Sequence, residues 1–346
     1  MEIEWISKAK GVAILGVVAV HTVQQFNLTG TIAEIASAGM YGVSLFFIFS
    51  ALFTFQLLDR MAVSKWTIKQ YLRYFIHKTI RLLPILYIAI FWHLSQYFIA
   101  LGRVPNFSDP IWQHALYAAT LTNGFSPNHF NPWFNWYIGT LTIFIAIAPV
   151  IHRLINTSLR AVLFFLASLL FSWVLLLLGI NNDNEWFYYG WLPRQLPVLA
   201  LGIVFYFFKK EDDSTAKRKV VSSFTLIVSS VLLLALCTRV KIIETHVIAG
   251  LLLLFFCYCL FNNSWKVFDW MKTLGKYSYG IYLFHGCLLL KAFRVVSNRL
   301  DIDRSSVIIF LVYYTLLLRF SLLASYMAHK YIENPLLNFT KKKWNI

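Results

Sequence analysis

The chain has 346 residues, of which 59% are hydrophobic, 18% are aromatic and only 13% are charged. A soluble globular protein carries about 25% charged residues, so this composition excludes that class and indicates a polytopic membrane protein. The formal net charge is +16, but the basic residues stand in short runs between apolar segments. That pattern is typical of cytoplasmic loops beside membrane spans, and we expect no nucleic-acid partner.

Ten apolar segments are long enough, or nearly long enough, to cross a bilayer as helices. They are 10–27, 40–58, 81–101, 136–155, 160–179, 190–208, 220–237, 245–262, 275–294 and 305–330. With the N-terminus in the cytoplasm, most of the 31 Lys and Arg residues fall in inner loops, so we expect both termini to be cytoplasmic. The sequence therefore predicts a single all-α domain over 1–346, with ten transmembrane helices, in the cell (inner or plasma) membrane.

The first span carries an ionisable residue near the middle of the bilayer, where burial of a polar side chain costs free energy. His21 follows Lys10 by eleven residues, almost three helical turns, so both side chains share one face about 16 Å apart along the axis. That spacing puts Lys10 at the edge of a hydrocarbon core of about 30 Å and His21 near its middle. An ionisable side chain at that depth indicates function. The alternative is a core histidine bonded to a neighbouring hydroxyl, with Lys10 as a flanking charge.

The second and third spans contribute a hydroxyl and two cations. Ser50 lies among aromatic residues, where its small side chain alternatively serves helix packing. Lys78 and Arg81 are three residues apart, on one helix face, at the predicted cytoplasmic entry to span three. Two adjacent cations suit a phosphate-bearing ligand, and the alternative partner is an anionic lipid headgroup.

Span nine carries a hydroxyl, a phenol and an imidazole on one stripe. Ser278, Tyr282 and His285 stand at positions i, i+4 and i+7, which lie on the same face of a helix. Span nine runs in the same direction as span one, so His285 should reach a depth similar to that of His21. We therefore expect these side chains to face the same cavity as His21.

Two more charged residues lie in or beside the last span. Glu333 precedes Pro335 at the predicted cytoplasmic end, where Pro335 stops the helix and Glu333 is able to pair with Lys78 or Arg81. Arg319 is an isolated charge inside the span. It needs backbone carbonyls, a cavity or a bound anion as its partner.

Together these segments resemble the bacterial acyltransferase-3 family of integral-membrane O-acyltransferases. That family opens with a basic residue, ten residues and then a histidine, as Lys10 and His21 do, with Lys in place of the usual Arg. Four further motifs are similar in order: the second span at 42–52, the Arg-x-x-Arg entry at 78–81 (again with Lys first), the Leu-Gly-x-x-Ser-Tyr-x-x-Tyr-Leu-x-His signature at 274–285, and Glu-x-Pro at 333–335.

The fourth span departs from the family pattern. The family often carries Trp-Ser-Leu-x-Val-Glu there, followed by Phe-Tyr and a proline. Here Trp136 and Pro149 keep the spacing, but Leu141 stands where the glutamate is expected. The role of that carboxylate is either absent or taken by another group.

The resemblance implies an acyl transfer with acyl-CoA, usually acetyl-CoA, as donor and co-substrate and no metal. It places the donor at the cytoplasmic side, and we expect Lys10, Lys78 and Arg81 to hold its phosphates. The acceptor is usually a carbohydrate hydroxyl on an envelope or exported glycan, so the expected partners are acyl-CoA, a carbohydrate and membrane lipid.

The chemistry of that transfer assigns roles to the candidate residues. His21, uncharged at its depth in the membrane, is either the general base for the hydroxyl or a transient acyl carrier. Tyr282, Ser278 or His285 then donates a hydrogen bond to the developing oxyanion.

A transporter or flippase of a lipid-linked sugar or anionic lipid remains the alternative function. It too requires about ten spans, aromatic residues and buried cations. It predicts internal repeats, whereas this sequence shows none and instead carries two histidines expected at one depth above a basic entry.

Overall fold

The computed structural model describes residues 4–61, 67–101, 110–122, 136–178, 190–211, 245–262, 266–286 and 302–338. Within these ranges the regular structure is helical and contains no strand, which confirms the predicted all-α class. The predicted span 220–237 lies outside the described residues, and so does the part of span 275–294 that follows residue 286.

Twelve α-helices occur in the described ranges. They are α1 (Glu4–Val23), α2 (Thr31–Ala38), α3 (Gly42–Met61), α4 (Ile68–Thr79), α5 (Leu83–Leu101), α6 (Pro110–Ala119), α7 (Trp136–Leu154), α8 (Ser158–Leu177), α9 (Leu192–Glu211), α10 (Thr245–Asn262), α11 (Trp270–Phe284) and α12 (Val307–Ala328). A π-helix, His329–Glu333, continues directly from α12.

Five helical stretches of the described residues are long and apolar enough to cross a membrane, and α4 with α5, bent by 56°, makes a sixth if the pair is one span. The five are Glu4–Val23, Thr31–Met61, Trp136–Leu154, Ser158–Leu175 and Val307–Asn338. The protein is therefore a multi-pass membrane protein, but the predicted ten spans are not confirmed. The helix α10 is apolar but shorter, and α11 has 15 residues.

The chain divides into two compact units, each made of two segments. The first unit comprises Met1–Phe49 and Phe208–Ser325, and the second comprises Ser50–Phe207 and Tyr326–Ile346.

In the first unit, α1 and α11 lie in backbone contact because glycines face each other's chain. A Cβ placed on Gly275 would collide with the carbonyl oxygen of Ser7, and one on Gly11 would collide with that of Met271. Side chains at these positions would force the helices apart, whereas glycine permits the close approach. Beyond the end of α1, Phe26 packs edge-to-face on Phe310 of α12, with ring centroids 5.6 Å apart.

In the second unit, tyrosines of α4 satisfy backbone carbonyls of α7 beside a proline. Pro149 has no N–H, so the carbonyl of Ile145, four residues earlier, lacks its helical donor. The Tyr74 hydroxyl donates to that carbonyl at 3.0 Å, and Tyr71 donates to the carbonyl of Ala146 at 3.0 Å. These bonds fix α4 against the part of α7 where the helical hydrogen-bond ladder is interrupted.

Candidate active site

The N-terminal ends of α1 and α11 are joined by a cluster of four charges. Lys8 is buried, with 1% of its surface exposed, and its Nζ lies 2.9 Å from Oδ1 of Asp269 and 3.6 Å from Oε1 of Glu4. Lys272 lies 2.5 Å from Glu4 and 3.2 Å from Asp269. The hydrogen bond from Lys8 holds the pKa of the Asp269 carboxyl below its usual value. The cluster joins the beginning of α1 to the beginning of α11.

From this shared start the two helices carry His21 and His285 into contact. The ring centroids are 5.1 Å apart, with the planes inclined by 35°. His285 is 1% exposed, whereas His21 is half-buried. The depth argument from the sequence predicts this proximity, and the glycine contact and charge cluster explain how the register is held. His21 is the member of the pair that a ligand is able to reach.

The hydrogen bonds of the two imidazoles fix the same tautomer in both. Nδ1 of His285 lies 3.0 Å from the carbonyl oxygen of Ile281, and Nδ1 of His21 lies 3.2 Å from Oε1 of Gln24. Both oxygens only accept, so in each neutral ring the hydrogen is on Nδ1 and the lone pair is on Nε2. Each ring therefore presents Nε2 as a base. Sequence reasoning missed Gln24, although its i+3 spacing from His21 is a usable signal.

Tyr282 and Ser278, the other two members of the span-nine stripe, differ in their contacts with the histidines. Tyr282 is buried, and its ring centroid lies 6.0 Å from that of His285. Ser278 is also buried, but its hydroxyl donates to the carbonyl of Gly275 at 2.9 Å, a local bond that helical serines often form. Its hydrogen is thus engaged within α11, so the predicted use of Ser278 as an oxyanion donor does not fit this arrangement.

Ser50 and Trp136 both contact Tyr137 in the second unit. The Oγ of Ser50 lies 3.1 Å from the hydroxyl of Tyr137, and the Tyr137 ring packs edge-to-face on Trp136 with centroids 6.5 Å apart. Leu141, at the position where the family often has glutamate, is buried and apolar. Tyr137, which sequence reasoning missed, thus links the serine of α3 to the start of α7.

The predicted phosphate-binding cations are divided between the two units and differ in exposure. Lys10 is half-exposed on α1 in the first unit, and Lys78 is half-exposed in the last turn of α4 in the second. Arg81 is exposed in the turn after α4. Because α4 ends at Thr79 and the chain then bends by 56° into α5, the prediction of one continuous helix face for Lys78 and Arg81 is wrong. The two cations instead flank a bend.

The two remaining charged candidates, Glu333 and Arg319, differ in burial. Glu333 is 6% exposed, and its Oε2 lies 2.6 Å from Nδ1 of His329 within the π-helix. In the described structure the partner of Glu333 is therefore His329, one turn earlier in the π-helix. The predicted pairing of Glu333 with Lys78 or Arg81 is not observed among the described residues. Arg319 is exposed on α12, and its partner, whether backbone carbonyls, a cavity or a bound anion, stays a prediction.

Another polar cluster, in the second unit, was missed by sequence reasoning. His152 Nε2 lies 2.7 Å from Oδ1 of Asp59, and the hydroxyl of Tyr206 donates to the other oxygen of the same carboxylate. The three residues come from α3, α7 and α9, far apart in sequence. No spacing pattern links them, so only the packing reveals the cluster.

Residues 3–330 match the family model described as an acyltransferase domain, which is essentially the whole chain. The chain belongs to the acyltransferase-3 family. The recognition from its motifs is thereby confirmed, and this acyltransferase-3 protein is an acyltransferase acting on membrane-associated substrates. No curated protein and no solved structure matches it. The matched range contains both histidines of the pair.

Proposed function

We propose that this acyltransferase moves an acyl group, most simply acetyl, from acyl-CoA at the cytoplasmic face to a hydroxyl of a cell-envelope or exported carbohydrate. The observation that carries the proposal is the contact of His21 and His285, with ring centroids 5.1 Å apart and both Nε2 lone pairs available. An uncharged imidazole with a free lone pair is the group that removes a hydroxyl proton near neutral pH.

His21 is the proposed base because it combines a free Nε2 with partial exposure. Its Nε2 takes the hydroxyl proton while the hydroxyl oxygen forms a bond to the thioester carbon. The carbon–sulfur bond then breaks, and the sulfur leaves with the proton returned by His21. Gln24 accepts the Nδ1–H of His21 at 3.2 Å, which holds the ring in the tautomer that this sequence of steps requires.

Direct transfer and a transient acyl-histidine use the same atom of His21, since either the proton or the acyl group bonds to Nε2. The two are separated by mass spectrometry of protein quenched after mixing with acyl-CoA alone. A covalent route adds one acyl group to the peptide that contains His21, and direct transfer adds none.

Tyr282 is the proposed donor to the developing oxyanion. It is buried beside His285, and a hydrogen-bond donor in a buried, low-dielectric site stabilises a developing negative charge strongly. Ser278 is the weaker choice because its hydrogen is bonded to Gly275.

The proposed phosphate-binding cations for CoA are Lys78 and Arg81 in the second unit, and Lys10 is the candidate cation of the first unit. Lys10 lies on α1 in helical register with His21, about 16 Å below it along the axis, and Lys78 and Arg81 flank the bend between α4 and α5. Replacing both Lys78 and Arg81 by Gln should weaken acyl-CoA binding about tenfold or more, since each lost contact is a charge-assisted hydrogen bond. Unchanged affinity would assign these two residues to lipid headgroups.

Family membership favours acyl transfer over the transporter alternative, and the free bases have no evident use in a flippase. The deciding experiment uses the purified protein in lipid nanodiscs with acetyl-CoA, measuring release of free CoA with and without a glycan acceptor. We expect acceptor-dependent release that falls by about 10²–10⁴-fold in His21→Gln at unchanged folding. The proposal fails if the wild-type protein releases no CoA with any hydroxyl acceptor, or if His21→Gln works at the native rate.

A further inference from the structure

We propose that His285 is the proton-sharing partner of His21: its Nε2 accepts a hydrogen bond from the Nε2–H that His21 acquires during acyl transfer. This inference rests on the proposed function for its catalytic meaning. It gives His285 a role opposite to the one expected from its sequence, because it makes the ring an acceptor of a proton rather than a donor to the oxyanion.

The first support is an unsatisfied atom. Nε2 of His285 is buried and has no hydrogen-bond partner among the described residues, in a side chain that is 1% exposed. A buried acceptor without a donor is destabilising, and natural structures rarely keep one without a use. The ring is not free to turn over and hide this atom, because its Nδ1–H is already bonded to the carbonyl of Ile281 at 3.0 Å.

The second support is what the neighbouring ring offers. In the resting state both Nε2 atoms carry lone pairs, so neither histidine is able to donate to the other. When His21 takes a proton on Nε2, it becomes a donor, and the free acceptor of His285 belongs to the ring in contact with it. The state that forms during the reaction is therefore better hydrogen-bonded than the resting state. An interaction made only after proton transfer lowers the barrier rather than strengthening substrate binding.

Among the described residues, no polar group donates a hydrogen bond to Nε2 of His285. The hydroxyl of Tyr314 on α12 donates to the carbonyl of Leu15 on α1 at 3.1 Å. The hydroxyl of Ser278 is bonded to Gly275, and the carbonyl oxygen of Gln24 is bonded to the far side of the His21 ring. The imidazolium of His21, whose ring centroid lies 5.1 Å from that of His285, is therefore the donor that the proposal assigns to Nε2 of His285.

The proton and electron balance follows the proposed reaction. The acceptor hydroxyl loses its proton to Nε2 of His21 as its oxygen bonds to the thioester carbon. His285 shares that proton while the charge is on the pair. The carbon–sulfur bond then breaks, its electron pair goes to sulfur, and the shared proton leaves with the thiol.

Two substitutions of His285 separate a hydrogen-bond acceptor from a merely structural ring. His285→Asn places an amide N–H near the position of Nδ1, which keeps the bond to Ile281, and removes Nε2. His285→Gln instead places its amide group near the position of Nε2, where its oxygen is able to accept from His21. His246→Asn is the matched control, because His246 is another buried histidine of the first unit.

The kinetic arm measures CoA release per folded molecule in nanodiscs. We expect kcat to fall about 10- to 10²-fold in His285→Asn, the effect of losing one hydrogen bond to a charged group, and to recover in large part in His285→Gln. His246→Asn should keep the native kcat. A native kcat in His285→Asn, or equal losses in the Asn and Gln variants, would overturn the inference while leaving acyl transfer by His21 intact.

The spectroscopic arm does not require turnover. Protein labelled with ¹⁵N at histidine is acidified until the pair takes up a proton, and the imidazole signals are recorded. A shared proton gives one strongly deshielded resonance that is lost in both His21→Gln and His285→Asn and kept in His246→Asn. Two independent imidazole signals would refute the sharing. If the wild-type protein released no CoA but showed the shared resonance, the proposed function would fail and the pairing would stand.

Discussion

The contact between α1 and α11 predicts a large effect for a single added methyl group, Gly275→Ala. The new Cβ would collide with the carbonyl oxygen of Ser7, and it would lie 3.2 Å from the backbone nitrogen of Gly11. Both neighbours are backbone atoms, which are unable to swing aside as a flexible side chain does, so the helices must separate. Overpacking of this kind costs about 1–3 kcal/mol of stability.

The effect on activity should exceed the effect on stability. The same two helices carry His21 and His285, whose ring centroids are 5.1 Å apart, and misplacing a reacting group by about 1 Å can cost about 10²-fold in rate. We therefore expect Gly275→Ala to unfold at lower denaturant concentration and to lose about 10²-fold in CoA release per folded molecule.

The matched control is Thr273→Ala, at an exposed position of the same helix. A surface substitution of that kind changes stability by about 0.5 kcal/mol or less, and it should keep the native rate. Native-like stability and turnover in Gly275→Ala would mean that the two helices separate without cost, and the register argument for the histidine pair would then be wrong.

Three further outcomes are expected. Tyr74→Phe should lower the free energy of unfolding by about 1–3 kcal/mol, because it removes the donor to the carbonyl freed by Pro149. Pro149→Ala restores a backbone N–H for that carbonyl, so the double variant should recover part of the lost stability. Purely additive effects of the two substitutions in denaturation experiments would contradict this expectation. Asp269→Asn should destabilise the fold by leaving Lys8 buried without its closest carboxylate. Because the folded-state pKa of Asp269 is lowered, its contribution is present above about pH 4 and is lost as the pH falls through that lower pKa, so the wild-type and Asn proteins should converge in stability in acid. Gln24→Leu should lower kcat through the tautomer of the adjacent imidazole, with less effect on KM for acyl-CoA; a rise in KM at native kcat would place Gln24 in binding instead.

The sequence by itself determined the features that depend on one helix at a time. The 3.6-residue period puts Lys10 and His21 on one face, and hydropathy sets the depth of His21, so both follow from spacing along a single segment. The signature at 274–285 is local in the same sense. These short-range patterns are sufficient for the all-α class, the membrane environment and the family.

The apolarity of a segment alone does not predict how many helices cross the membrane or where a helix is interrupted. Arg81 follows Lys78 at helical spacing in the sequence, yet α4 ends at Thr79 and the chain bends before α5. Pro84 in the first turn of α5 has no N–H for the carbonyl of Ile80, which favours the end of α4. The bond from Tyr74 to the carbonyl freed by Pro149 then holds α4 against a segment about seventy residues further along the chain. A pattern search on either segment alone contains no trace of that contact.

Only the tertiary structure decided what the two histidines do for each other. Their contact requires glycines on α1 and α11 to face one another and Lys8 to meet Asp269, pairings between segments more than 250 residues apart. The direction of each Nδ1–H and the unsatisfied Nε2 of His285 follow from that packing. The sequence predicts one depth for both imidazoles, but depth is only a position along each helix. Which faces meet, and which atom is left without a partner, is set by how closely the backbones approach.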